Sequence, residues 1–166
     1  LDRLFELALP PFGSRLQDPR DALADFFHER LAGTLREQGF SAHEIDATLS
    51  LRPQRLAEVP RRLAAVRAFA ALPEAISLAA ANKRIANILK KSDAVTAAAI
   101  DAHHLVEPAE RALAGALRDV VPRADALFAE QEYTASLSAL AALKTPVDAF
   151  FDGVMVNADD PGLRAN

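Results

Sequence analysis

The chain has 166 residues, 51% hydrophobic and 25% charged, with a net charge of −4 and no cysteine. That length is enough for a domain with a full apolar core, and the missing thiols exclude a disulfide framework, a thiolate zinc site and a cysteine nucleophile. Alanine supplies roughly one residue in five while β-branched residues are sparse, a balance that favours helix over sheet.

Residues 1–15 carry little patterning and read as a connecting segment. Asp18-Pro19-Arg20-Asp21 then supplies a cap, a proline at the first helical position and a carboxylate beside the orphan amides. Leu23, Phe26, Phe27, Leu31 and Leu35 follow on one stripe, with His28 at its boundary, and Gly39 stops the helix. Ser41 and Glu44 form a capping box ahead of Ile45 and Leu49. After Pro53, Pro60 opens a helix with Leu63, Val66, Phe69 and Ala70 on its apolar side and Arg61, Arg62 and Arg67 off it. Another helix runs from Pro73 to about Lys91, where Ser92-Asp93 ends it; residues 93–106 have weak periodicity.

Glu107-Pro108 opens a helix with Ala109, Leu113, Ala116, Leu117 and Val120, which Pro122 kinks or restarts before Leu127 and Phe128. Tyr133, Leu137, Leu140 and Ala141 form a further stripe. Thr145-Pro146 caps a helix holding Val147, Phe150 and Phe151, and Asp159-Asp160-Pro161-Gly162 reads as a turn. No alternating strand pattern occurs, so the expected fold is an all-α bundle of roughly seven to nine helices.

These residues do not assemble an enzyme active site. There is no P-loop, dinucleotide fingerprint, nucleophile elbow or His-Glu-x-x-His pattern, so no catalytic residue and no metal ligand is assigned. His103 and His104 point about 100° apart on a helix, which suits a solvated pair better than a shared metal. No apolar run reaches the roughly 18 to 20 residues of a membrane span. The opening Leu1-Asp2-Arg3-Leu4 and the closing Leu163-Arg164-Ala165-Asn166 read as the ends of a segment of a longer cytoplasmic protein.

Charge is unevenly distributed. From Ser50 to Ser92, nine basic residues (Arg52, Arg55, Arg61, Arg62, Arg67, Lys83, Arg84, Lys90, Lys91) face two acidic ones (Glu58, Glu74), a local charge of +7 on an otherwise acidic chain. The segment is either a set of solvated helix faces or a footprint for a polyanion. At 100° per residue, Lys83, Asn87 and Lys90 fall in a sector roughly 60° wide, with Arg84 and Lys91 on one flank. Leu78, Ala81, Ile85 and Leu89 are expected to dock opposite. Lys and Arg suit phosphate oxygens; Asn82, Asn87 and a guanidinium can also read base edges. Phe26, Phe27, Phe150 and Phe151 could stack on bases but read as core from their helical stripes, and Tyr133 stays open between the two.

The wording is more specific than the periodicity. Ala81-Asn-Lys-Arg-Ile-Ala-Asn-Ile-Leu-Lys-Lys91, Phe26-Phe-His-Glu-Arg-Leu31 with Gln38-Gly39-Phe40, Val147-Asp-Ala-Phe-Phe-Asp-Gly-Val-Met-Val156 and the segment from Asp160 to Asn166 together resemble the C-terminal region of the bacterial glycyl-tRNA synthetase β subunit. The resemblance covers nearly the whole chain and implies one DALR-type helical anticodon-binding domain over residues 1–166, with a last helix following in the family. It implies non-catalytic tRNA-Gly binding in support of glycine attachment, alongside an α subunit that uses ATP and magnesium. No cofactor is expected in the segment itself. The tRNA-binding candidates are Lys83, Arg84, Asn87, Lys90 and Lys91, with Asn82 and Arg30 secondary; their selection rests on the helical face. An arginyl-type synthetase domain and a helical subunit-interaction module are the alternatives.

Overall fold

The computed structural model describes residues 1–91, 100–156, 158, 160, 162–163 and 166, with the backbone alone at 14 and 91. Among them are eight α-helices and no strand: α1 (Asp2–Ala8), α2 (Arg20–Glu37), α3 (Ala42–Leu49), α4 (Val59–Ala70), α5 (Ala75–Lys91), α6 (Pro108–Ala129), α7 (Tyr133–Ala141) and α8 (Lys144–Gly153). Short 3-10 turns lie at Pro10–Arg15, Leu56–Glu58 and Ala102–His104. The all-α expectation is met. No single helix among the described residues is long and apolar enough to cross a membrane.

The chain divides into two compact units, Leu1–Ala68 and Phe69–Asn166. In the first, the capping position is Pro19 rather than the expected Asp18, and Asp18 Oδ1, one residue further out, accepts from the Arg20 amide at 3.1 Å. Helix α2 ends where Gly39 takes φ +86°, a conformation that glycine reaches without a Cβ clash. The Phe40 and Gly39 amides then satisfy the carbonyls of Leu35 and Arg36, a Schellman closure. Helix α3 begins with both halves of its capping box, the Ser41 amide donating to Glu44 and the Glu44 amide to Ser41 Oγ. These ends bring Leu35, Ile45, Leu49, Val59 and Leu63 into one core, with Leu31, Ala32 and Phe40 packed on it.

Two readings of α2 are corrected. His28 is buried rather than at a boundary, with its Nε2 3.3 Å from the Pro53 carbonyl. Phe26, expected in the core, is 49% exposed, because the buried side of α2 is the row Ala24, His28 and Leu35. Period-3.6 counting admits both rows, and the smaller alanine and the hydrogen-bonded histidine take the inside.

Most of the arginines between 52 and 67 are engaged within this unit. Arg52 pairs with Asp25 at 2.8 Å, Arg62 with the buried Glu58 at 2.9 Å, and Arg67 with Glu44 at 2.6 Å. Hydrogen bonding from Arg67, then from Ser41, holds the Glu44 carboxyl at a pKa of about 2 against a usual 4.5. A depressed carboxylate contributes stability above its unfolded pKa and loses it as pH falls through the folded value. Between about pH 4.5 and 2, the chain should therefore lose stability more steeply than Glu44→Gln, which keeps the capping-box acceptor and removes the charge. Thermal midpoints against pH test this; parallel curves would mean the pair contributes nothing.

In the second unit α6 packs against both α7 and α8, and α5 against α8. Helix α6 opens on a Glu107–Glu110 capping box and runs 22 residues with Pro122 inside it. Of the two outcomes expected at Pro122, a kink or a restart, the restart does not occur: the missing amide frees only the carbonyl of Arg118, an exposed position where water can replace it. Small side chains at Ala114 and Ala124 let neighbouring helices approach, and Ser136 Oγ donates to the Ala124 carbonyl at 2.8 Å. Tyr133 is buried, edge-on to Phe128 at 5.1 Å, which makes it core rather than a base-stacking aromatic. Asp160 closes the expected turn by accepting from the Gly162 and Leu163 amides. Ser92, Asp93, Asp159 and Pro161, also named for turns or ends, lie outside the described residues.

Candidate nucleic-acid interface

Helix α5 carries the basic face. Its sequence has no Asp or Glu between Glu74 and Asp93, and alanines fill much of the rest, so the helix forms without acidic i,i+4 partners for its cations. Lys83, Asn87 and Lys90 are all exposed and share a sector roughly 60° wide. No ion pair holds either lysine among the described residues, in contrast to the arginines of the first unit. Asn82 is exposed to one side of this sector. The Lys91 side chain lies outside the described residues. Arg30 belongs to the first unit, where its Cζ sits 5.2 Å from the centre of the exposed Phe26 ring.

The inward side of α5 is only partly the one expected. Ile85 and Leu89 are 41% and 52% exposed, whereas Ala81 is buried and Leu78 and Ile88 half-buried. Two contacts set this orientation. Ser77 Oγ donates to Asp148 Oδ1 at 2.8 Å, and the Arg84 guanidinium lies over the Phe151 ring with Cζ 4.1 Å from its centre. The side facing α8 therefore carries Ser77, Ala81, Arg84 and Ile88, rotated roughly 75° from the apolar stripe. Apolar counting omits a serine with a partner and an arginine whose stem and planar head can cover a ring.

Asp148 is fastened from both sides. Lys144 Nζ donates to its other oxygen at 2.7 Å. Bonding first from Lys144 and then from Ser77 holds the Asp148 carboxyl below the usual carboxylate range, and the same pair raises Lys144. Helix α8 thus grips α5 at Ser77 and again two turns later at Arg84, leaving Lys83, Asn87 and Lys90 turned outward. Phe150 and Phe151 are half-buried and edge-on to one another at 5.5 Å. Sequence reasoning gave Phe151 to the core and passed over Ser77 and Asp148; a polar pair 71 positions apart leaves no local signal.

Elsewhere in the second unit an apolar cavity of about 400 Å³ is lined by residues including Leu113, Leu117, Phe150 and Leu163, with Glu107 and Glu110 among the polar ones. Two carboxylates repel phosphate, so this cavity does not compete as a polyanion site. No group of three or more His, Cys, Asp or Glu among the described residues could hold a metal ion. With no phosphate-cradling loop in the sequence either, no residue here is assigned to ATP or magnesium.

Comparison with known proteins places the chain among its relatives. Over its full length the chain is 66% identical to the glycine–tRNA ligase beta subunit of Leptothrix cholodnii and 61% identical to that of Paracidovorax citrulli. It is 65% identical over 141 residues, 85% of its length, to that of Thiobacillus denitrificans. It spans 23%, 23% and 20% of these relatives. Residues 78–166, which include most of α5 and all of α6, α7 and α8, match the DALR anticodon binding domain. That match takes in more than half of the residues, and the chain belongs to the DALR anticodon-binding domain family.

Proposed function

We propose that this chain is the tRNA-binding module of a glycine–tRNA ligase β subunit, gripping the anticodon arm of tRNA-Gly while glycine is attached elsewhere in the enzyme. The observation that carries the reading is the exposed Lys83, Asn87 and Lys90 sector within the segment matched by an anticodon-binding family. Lysines without ion-pair partners suit phosphates, and an amide between them suits a base edge. Arg84, Lys91, Asn82 and Arg30 are the further contacts proposed.

In the same reading, residues 1–166 act as one module with 1–15 as its connecting segment. The longer β chain meets an α subunit, and ATP and magnesium serve the reaction there. The enzyme works in the cytoplasm. Glycine is activated outside this segment in that reading.

Salt dependence tests the reading. Four cations on phosphates should give a log–log slope near −3, at roughly 0.7 per phosphate on single strands. Filter binding of the 166-residue chain to a tRNA-Gly transcript, with a tRNA-Arg transcript and an acidic protein as competitors, would measure it. A flat response, or preference for the acidic protein, would remove the RNA reading, and preference for tRNA-Arg would remove the glycyl assignment. The chain alone should not charge tRNA with glycine when ATP is supplied.

A further inference from the structure

The guanidinium–ring contacts differ in what they leave available. Arg67 lies 4.6 Å from the Phe40 centre, but Glu44 takes its donors at 2.6 and 3.2 Å. Arg84 sits closer to its ring, at 4.1 Å, remains exposed, and meets no carboxylate or carbonyl among the described residues. Helix α5 is held to α8 by Ser77 and Asp148 two turns earlier, which keeps the Arg84 backbone beside the helix that carries Phe151. The result is a planar cation lying over Phe151, with no hydrogen-bond or ion-pair partner for its N–H donors among the described residues.

A guanidinium in that state has a defined complement. Its plane is weakly hydrated, it stacks on π systems, and unpaired RNA bases stack on arginine planes as they do on aromatic rings. A phosphate alone would be met as well by a lysine, and three lysines (Lys83, Lys90 and Lys91) already lie on this helix. Asn87 follows one turn after Arg84, roughly 60° around the helix, where its amide can meet the edge of a base seated on the arginine.

We propose that Arg84, seated over Phe151, is the stacking platform for one unpaired base of the bound RNA, with Phe151 as its positioning residue. This rests on the tRNA-binding reading and adds a base contact to an otherwise phosphate-directed face. Ring, guanidinium and base form a three-layer stack, and affinity at this point depends on planarity rather than on charge.

The test separates plane from charge. Bind the 166-residue chain and its Arg84→Lys and Phe151→Leu variants to a tRNA-Gly transcript, and to transcripts with an abasic site at each anticodon-loop nucleotide in turn. Arg84→Lys should bind the intact transcript about tenfold more weakly, within the range for loss of one stacked base, with its salt slope unchanged. The parent should lose a similar factor at one abasic position, and Arg84→Lys should be insensitive to that position. Phe151→Leu should weaken binding by a few-fold, and the double variant should bind no more weakly than Arg84→Lys alone. Circular dichroism of Arg84→Lys, which keeps the ring and the charge, controls for folding. Parent-like affinity of Arg84→Lys, or its continued sensitivity to the same abasic site, would overturn the platform. So would a parent indifferent to every abasic site. A parent that binds no transcript would instead overturn the tRNA-binding reading.

Discussion

Lys83→Glu and Lys90→Glu should each weaken tRNA-Gly binding about 10- to 100-fold at low salt while leaving the fold intact. Both lysines are exposed on the side of α5 turned away from α8. Each substitution removes a charge-assisted hydrogen bond worth about 1.5–3 kcal/mol and places a carboxylate against a phosphate. The loss should shrink as salt rises, since screening reduces attraction and repulsion together. The log–log slope should flatten by about 0.7 for each contact removed. Neither lysine has an ion-pair partner among the described residues, so thermal unfolding should shift by less than about 0.5 kcal/mol. Asn87→Ala should leave the slope alone and narrow the preference for glycine anticodons over mutated ones. If both charge reversals bind like the parent, the interface is on another surface. The arginines from 52 to 67 would be poor replacements, because Asp25, Glu58 and Glu44 engage several of them.

Leu63→Ala should be the most destabilising of the simple truncations, at about 2–5 kcal/mol. Leu63 is completely buried at the centre of the first unit's core, against Leu35, Ile45, Leu49 and Val59. Removing it leaves a cavity whose walls are held by a capping box and a Schellman closure and so cannot readily collapse. Ile85→Ala should cost far less, about 1 kcal/mol or below. Hydrophobic periodicity puts Ile85 in the core and would assign it the larger figure, but it is 41% exposed. Denaturant unfolding of the two variants decides between them, and equal losses would show that α5 buries its apolar stripe after all.

Local chemistry made much of this protein legible from its sequence. Gly39, the Ser41–Glu44 box and Glu107-Pro108 mark helix ends through bonds within a few residues, and each does so in the structure, while Asp18 stands one residue outside the cap at Pro19. The absence of strands among the described residues followed from composition, and the cationic face of α5 from the spacing within one short stretch. Tertiary packing alone decided which side of each helix faces inward. On α2 a buried histidine bonded to the Pro53 carbonyl displaced a phenylalanine outward. On α5 the docking side was chosen by Asp148 and Phe151, which come from a helix more than fifty residues later and bind a serine and an arginine. Hydrophobic periodicity weighs apolar side chains only, whereas a polar group turns inward when a distant partner satisfies it. That partner is visible only once the helices are packed.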